Sequence, residues 1–287
     1  MAEYGFVSWP SNNPLWQFSY SLGDYSQPEG LVIRSVRYRG RLMLYKASLP
    51  SLRVEYEGGC GPYKDPLHYG NADVQSNGRR VAVYDFSIFG LRWLTIESYH
   101  RIGAYRLRQR WTFMPDGTLA PRLFSAGLQC PDDHRHHAYW RFDFDINNAS
   151  NDALYEYNST TGDIGYGPGW HKKLWETSRL KRSATNRRWA VMDRRESNGC
   201  FLIPDPNDGS ADAFSTRDVW FMRYRGSEDL SGNQGTPGDD GLNAYLDFEN
   251  LDGTDVVVWY CGHLGHHAHD GGDEWHAVGP RLIPFRW

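Results

Sequence analysis

His134-Arg135-His136-His137, and then Asp255-Val256-Val257-Val258-Trp259-Tyr260-Cys261-Gly262-His263-Leu264-Gly265-His266-His267, are the two runs on which the reading of this chain turns. Tyr139 to Ile146 and Asp255 to Tyr260 are short, apolar and rich in aromatic and β-branched residues, so they read as strands. Side chains on a strand alternate with period two, which projects His134 and His136 to one face. An imidazole from a distant strand would complete a three-nitrogen site with an open position, an arrangement that suits copper or zinc. His266 is the candidate. The chain has 11 histidines, and seven of them fall in the clusters 134–137 and 263–269. Chance clustering on a surface is the competing reading, and the surrounding segments decide between the two.

Those segments are β-rich throughout. Leu31 to Tyr38 leads through Arg39-Gly40-Arg41 into Leu42 to Tyr45, the pattern of a hairpin. Arg79 to Phe86, Tyr105 to Phe113, Trp189 to Met192 and Val219 to Tyr224 are further strand candidates. Asn77-Gly78, Pro115-Asp116-Gly117, Asn198-Gly199 and Asp252-Gly253 supply turns. No segment keeps a clean 3.6-residue apolar period; Trp170 to Lys181 comes nearest and is weak. Ser150 to Gly169 and Gly226 to Gly241 read as loops. Many short strands with turn punctuation predict an all-β fold, an antiparallel β-sandwich.

Composition narrows the function classes. A formal net charge of −4 and a pI near 6.3 give no electrostatic basis for binding nucleic acid or an anionic membrane. No apolar stretch is long enough to span a bilayer. Met1-Ala2-Glu3-Tyr4-Gly5-Phe6 lacks a basic start and an apolar core, so no secretory signal is read there and a cytoplasmic location is expected. Cys60, Cys130, Cys200 and Cys261 are widely spaced, and without a signal the expectation is reduced thiols. Cys261 lies close to His266 in sequence, but cysteine more commonly sits in a core.

Taken in order, these segments resemble the C-terminal catalytic domain of the copper amine oxidases. Trp16-Gln17-Phe18, Gly30-Leu31-Val32, Val36-Arg37-Tyr38 and Leu44 to Leu49 resemble the start of that domain. Trp111-Thr112-Phe113 with Asp116-Gly117, then Ala126-Gly127-Leu128, resemble the run after its quinone tyrosine. His134-Arg135-His136 before Arg141-Phe142-Asp143-Phe144-Asp145, and Asp255 to Tyr260 before His266, resemble its metal-bearing strands. The resemblance implies the family's β-sandwich, the so-called supersandwich, over residues 1–287 as one catalytic domain, without the smaller N-terminal domains. It also implies a homodimer, copper, a tyrosine-derived quinone (topaquinone), and oxidation of a primary amine by O2.

Carried over residue by residue, His134, His136 and His266 would be the copper ligands. His137 and His267 stand beside them, where a shift of register would substitute them; His263 and His269 read as solvated loop histidines. Tyr63-Lys64-Asp65 resembles the setting of the family's general base, which makes Asp65 the base and Tyr63 the aromatic gate. A carboxylate that removes a carbon-bound proton near neutral pH needs a raised pKa, which a partly dehydrated site supplies. Outside the resemblance, Asp65 before Pro66 is an ordinary turn residue and Tyr63 a core tyrosine.

Tyr105 stands at the quinone precursor's distance before Trp111, yet its neighbours depart from the family pattern. Where the family has Thr, Asn and an acidic residue, this chain has Arg101, Ala104 and Arg106. Alanine cannot hydrogen-bond, so the hold on the ring that asparagine gives is missing. Read as one strand, Arg101, Gly103 and Tyr105 share a face, while Arg106, Arg108 and Arg110 form a solvated stripe on the other. Arg101 would then face the cavity and favour a substrate bearing a carboxylate, or it would bend away into water. Asp143, Asp145 and Asp255 match the family's peripheral site for a hard cation such as calcium or manganese, although loop aspartates are common.

Three functions compete. The first is a copper- and quinone-dependent amine oxidase. The second is a copper enzyme of the same fold that leaves Tyr105 unmodified and performs a specialised oxidation or rearrangement. The third is a metal-binding protein without turnover.

Overall fold

The computed structural model describes residues 2–26, 28–162, 165–229 and 239–287. In chain order the strands are β1 (Glu3–Trp9), β2 (Trp16–Leu22), β3 (Leu31–Tyr38), β4 (Arg41–Tyr56), β5 (Tyr63–Lys64), β6 (Val81–Ile88), β7 (Leu91–Ile102), β8 (Tyr105–Phe113), β9 (Leu119–Ala126) and β10 (His134–Phe144). They continue with β11 (Asp152–Asn158), β12 (Gly169–Lys173), β13 (Thr177–Arg179), β14 (Arg188–Asp193), β15 (Gly199–Ile203), β16 (Val219–Arg223), β17 (Val256–His266), β18 (His276–Val278) and β19 (Arg281–Phe285). Only short 3-10 turns break this pattern among the described residues. All pairings are antiparallel, and the strands form two sheets.

One sheet runs β1-β2-β3-β4-β10-β17-β16-β13, with β5 on the edge of β4; the other runs β12-β11-β14-β15-β19-β9-β8-β7-β6, with β18 on β9. Strand β8 shows the expected half-buried alternation, with Tyr105, Leu107, Gln109, Trp111 and Phe113 turned inward. Across the gap, the rings of Phe18 and Phe113 stack at 4.2 Å, and Trp111 meets Trp140 edge-on at 5.2 Å. Burying such a side chain contributes roughly 1.5–3 kcal/mol each. The amide of Gln109 ties the sheets by accepting from Leu31 N at 2.7 Å and donating to Leu31 O at 3.0 Å.

Strands β10 and β17 are central and buried on both faces. The inner face packs on the second sheet; the outer face is covered by a smaller apolar cluster of Tyr139, Trp220, Met222, Leu242, Trp259 and Cys261. That is why Val256-Val257-Val258 shows no alternation. At the far edge, the β6–β7 hairpin leaves Val83, Phe86, Ile88, Phe89 and Leu91 exposed.

Several sequence expectations change. Residues 150–169 are a loop only in part: β11 takes Asp152–Asn158 and β12 begins at Gly169, while Asp163 and Ile164 lie outside the described residues. The weak helical period from Trp170 to Lys181 resolves into β12 and β13. Of 226–241, a 3-10 turn spans Gly226–Glu228 and a second begins at Asp239, while residues 230–238 lie outside the described ones. Cys60 and Cys130 are joined in a disulfide with their Cα atoms 6.6 Å apart, which corrects the expectation of four reduced thiols. Cys200 and Cys261 are free and buried, so Cys261 is a core residue. No helix is long and apolar enough to cross a membrane among the described residues.

Candidate metal and catalytic centre

Register places the histidines. His134 lies opposite His266 on β17 and opposite Tyr56 on β4; His136 lies opposite Leu264 and Val54. The rings of His134 and His136 are 5.1 Å apart between centroids, and those of His134 and His266 are 4.9 Å apart. Tyr105 reaches them from the facing sheet, its ring 4.7 Å from His136 and 5.5 Å from His134. The site therefore sits between the sheets, at the end of β10 where the tryptophan core gives out.

Each imidazole has one nitrogen held and one free. His134 Nδ1 lies 3.4 Å from Asp132 O, His136 Nε2 lies 3.2 Å from Ser125 Oγ, and His266 Nε2 lies 3.0 Å from Gly271 O. The remaining nitrogens, His134 Nε2, His136 Nδ1 and His266 Nδ1, are buried without a hydrogen-bond partner. A buried polar atom left unpaired costs roughly 1–3 kcal/mol, and fixing one nitrogen while the other faces a metal is the usual outer-sphere pattern of ligating histidines. Burial holds the His134 imidazole down at about 4 and drives that of His136 well below its ordinary range. Both rings are neutral at pH 7, the form that donates a lone pair. The donor set fits copper or zinc. The Tyr105 hydroxyl is likewise buried without a partner.

Asp65 follows β5, its backbone N–H donating to Leu52 O at 2.8 Å. The carboxyl is buried, Oδ2 has no partner, and desolvation pushes its pKa up to about 7. Its charge bears on Tyr56, whose ring stacks on His134 at 4.7 Å, so Asp65 and the histidines border one region. Tyr63 is 45% exposed with its ring 6.3 Å from that of Tyr56, a rim position rather than a core one. A cavity of about 260 Å³ opens beside Tyr56 and His134, lined also by Glu55, Glu57, Arg135 and Asp212.

Arg101 is placed elsewhere than a single strand would put it. Gly103, at φ +55°, and Ala104 form a turn, so Ile102 pairs with Tyr105 and Arg101 pairs with Arg106. The Arg101 side chain is 73% exposed and bonds Asp73 at 3.2 Å, so it points away from the site. The turn itself is held from outside: Ala104 N donates to Gln129 Oε1 at 2.9 Å. A Cβ on Gly127 would come within 2.3 Å of Ala104 O, so glycine is needed there for the two segments to approach. Arg106, Arg108 and Arg110 are not a bare stripe. Arg110 pairs with buried Glu97 at 2.7 Å, Arg106 bonds Gly272 O at 2.6 Å, and Arg108 lies over the Phe124 ring.

His263 and His267 also separate. His263 is a buried strand residue opposite His137 on the outer face, which corrects its reading as a loop histidine. His267 and His269 are exposed, and His267 pairs with Asp133 at 2.7 Å.

Asp143, Asp145 and Asp255 offer oxygens within 4.8 Å of one another. Burial and the neighbouring carboxylates push Asp145 up to about 6 and Asp255 up to about 8, while burial raises Asp143 against the Arg141 guanidinium that its Oδ2 accepts from at 3.2 Å. Asp152 on β11 belongs with them and escaped the sequence reading: both its oxygens are buried and unpartnered, and Asp145 and Asp255 raise it further. A hard divalent cation would relieve that repulsion. Tyr56 and Ser125 were missed as well, because only cross-strand pairing reveals them.

No family model and no curated protein matches the chain. Solved structures with the same fold do. A copper-containing benzylamine oxidase from Hansenula polymorpha aligns over 98% of this chain and 59% of its own, at 16% identity and a TM-score of 0.72. The Aspergillus nidulans amine oxidase aligns over 98% of this chain and 51% of its own, at 16% identity and 0.75. The Pichia pastoris lysyl oxidase PPLO aligns over 94% and 51%, at 16% identity and 0.72. The chain thus has the β-sandwich of the copper amine oxidase catalytic domain and spans between half and three-fifths of the length of these structures.

Proposed function

We propose that this chain is a copper-dependent oxidoreductase that oxidises a primary amine with O2, acting as a homodimer. The observation that carries the reading is the set of three adjacent imidazoles, each with one buried free nitrogen, beside the buried, unpartnered hydroxyl of Tyr105. His134, His136 and His266 would hold the copper, which supplies one-electron redox chemistry with oxygen and the capacity to oxidise Tyr105. In the net reaction amine, oxygen and water give aldehyde, ammonia and hydrogen peroxide, with two electrons leaving the amine.

The residues around the centre divide the remaining work. Asp65, poised near neutrality, takes the proton from the carbon next to the amine nitrogen. Glu55 and Glu57 line the neighbouring cavity, where Arg135 and Asp212 pair with each other, and supply negative charge that a cationic amine would meet. Tyr63 stands at the edge of that region as the gate. Asp143, Asp145, Asp152 and Asp255 would bind a calcium-like ion that joins β10 and β17 to β11 of the other sheet. The exposed apolar β6–β7 hairpin is surface that a second copy can cover.

A second reading rests on Ala104. Without an amide to hold it, the Tyr105 ring lacks one restraint, and the tyrosine could serve unmodified in a specialised oxidation. Copper-loaded protein exposed to air separates the two. A quinone gives a broad visible band, a mass shift on the Tyr105 peptide and reaction with phenylhydrazine. Turnover without any of these, unaffected by Tyr105→Phe, would establish the second reading.

A further inference from the structure

A fourth imidazole lies beside His266. His276 opens β18, on the sheet that faces β10 and β17. It lies directly opposite Ser125, whose hydroxyl bonds His136, and its ring centroid is 4.6 Å from that of His266. The ligand atoms of His266, Asp270 and His276 fall within 4.8 Å of one another.

The chemistry of the ring points the same way. His276 Nε2 is buried and has no hydrogen-bond partner, although Asp270 Oδ2 stands 3.5 Å away. That oxygen is already taken by the His267 N–H at 3.0 Å. A histidine kept for packing alone would leave this nitrogen's desolvation uncompensated. The backbone is shaped to bring it in: a Cβ on Gly262 of β17 would sit 2.9 Å from Val278 Cγ2, so glycine there admits β18 to the site.

We propose that His276 is a fourth nitrogen ligand of the metal centre, through its Nε2. The proposal rests on the copper reading of His134, His136 and His266. Three imidazoles would then come from one sheet and the fourth from the other, so the metal would bridge the two layers. Four nitrogens favour a tetragonal cupric centre, and His276 would fill a position that three ligands leave to water or a small anion.

The test uses the full chain loaded with one copper. Pulsed electron paramagnetic resonance should count four imidazole couplings in the unaltered protein. His276→Gln should remove one of them, weaken copper retention against a chelator by more than about tenfold, and tighten azide binding by opening a position. Metal-free melting of the variant checks its fold, and if it does not fold the imidazole count on the unaltered protein decides. Three couplings in the unaltered protein, or an unchanged spectrum and affinity in His276→Gln, overturns the proposal while leaving the three-histidine reading intact. Loss of the copper reading looks different: the unaltered protein would bind no copper, or His134→Ala would retain it.

Discussion

Strands β10 and β17 carry five buried histidines on their shared ladder, and the two faces treat them differently. On the inner face His134 and His266 stand opposite each other, with a free buried nitrogen on each. On the outer face His137 and His263 stand opposite each other in the same register, their rings 5.2 Å apart. There the carboxylates have arrived. His137 Nε2 bonds Asp212 Oδ2 at 2.9 Å, and His263 Nε2 lies 2.8 Å from Asp218 Oδ1, close but poorly aligned for a hydrogen bond. Asp212 also accepts from Arg135, Phe214 N and Ser215 N, and these partners hold its carboxyl well below the usual range. One residue type on one ladder thus keeps free buried nitrogens on one side, where we propose copper binds, and lies against carboxylates on the other. What differs is what the chain lays over each face.

The sharpest way to break this contrast is to remove one histidine from each face. His266→Ala should abolish tight copper binding and cost less metal-free stability than the outer substitution, since it leaves a cavity and Gly271 O unbonded but removes no contact to a buried carboxylate. His263→Ala should retain one copper equivalent and lower stability by about 3 kcal/mol, through a buried acceptor left poorly paired and a cavity. Metal content and denaturant midpoints read both. Equal copper loss in the two variants would show that the outer pair takes part in metal binding as well, and loss in His263→Ala alone would move the site to the outer face.

Asp65 extends the contrast to acid and base. Unlike Asp212, it is buried with an oxygen unpartnered, and its pKa is about 7 against an unfolded value near 3.8. The raised value means the folded protein holds that proton more tightly. Stability from this group is complete below about pH 4 and is lost as pH rises through about 7, a difference on the order of 4 kcal/mol. Activity should move the other way, growing as the carboxylate forms. Asp65→Asn should flatten that part of the stability profile and lower turnover by about a hundredfold or more. A variant with unchanged turnover and an unchanged rate profile would end its assignment as base.

The carboxylate cluster at the other end of β10 tests whether metal holds the layers together there too. Asp143→Asn should reduce calcium content and cut the rise in melting temperature that calcium gives, with copper content unchanged. Normal calcium content and normal melting in that variant would remove the site.

The fold was legible because alternation and turn residues are local signals. Leu31 to Tyr38 and Tyr105 to Phe113 match β3 and β8 end for end. His134, His136 and His266 could be singled out because period two and the resemblance agree. Non-local pairing was not legible. Tyr56 and His276 join the site through register alone, Asp152 joins the acidic cluster across the two sheets, and nothing in the spacing of Cys60 and Cys130 announces their bond. His263 was misplaced because the strand was read as ending at Tyr260, whereas β17 runs on to His266 and Gly262 gives β18 room beside it. The turn at Gly103-Ala104 was missed for want of an Asn-Gly pair, which left the direction of Arg101 open between cavity and water.

Arg101 supplies the smallest effect and a clean check on that turn. A guanidinium facing the cavity would select substrates bearing a carboxylate, and its loss would raise their KM by tenfold or more. Here the side chain lies in solvent beside Asp73, opposite Arg106, on the face of the hairpin turned away from Tyr105. An exposed pair of this kind contributes about 0–1 kcal/mol. Arg101→Ala should therefore change kcat/KM less than about twofold for amines with and without a carboxylate, and shift the melting temperature only slightly. A selective loss of activity towards the carboxylate-bearing amine would mean that the hairpin end folds inward in the working enzyme, bringing Arg101 to the face that the histidines share with Tyr105.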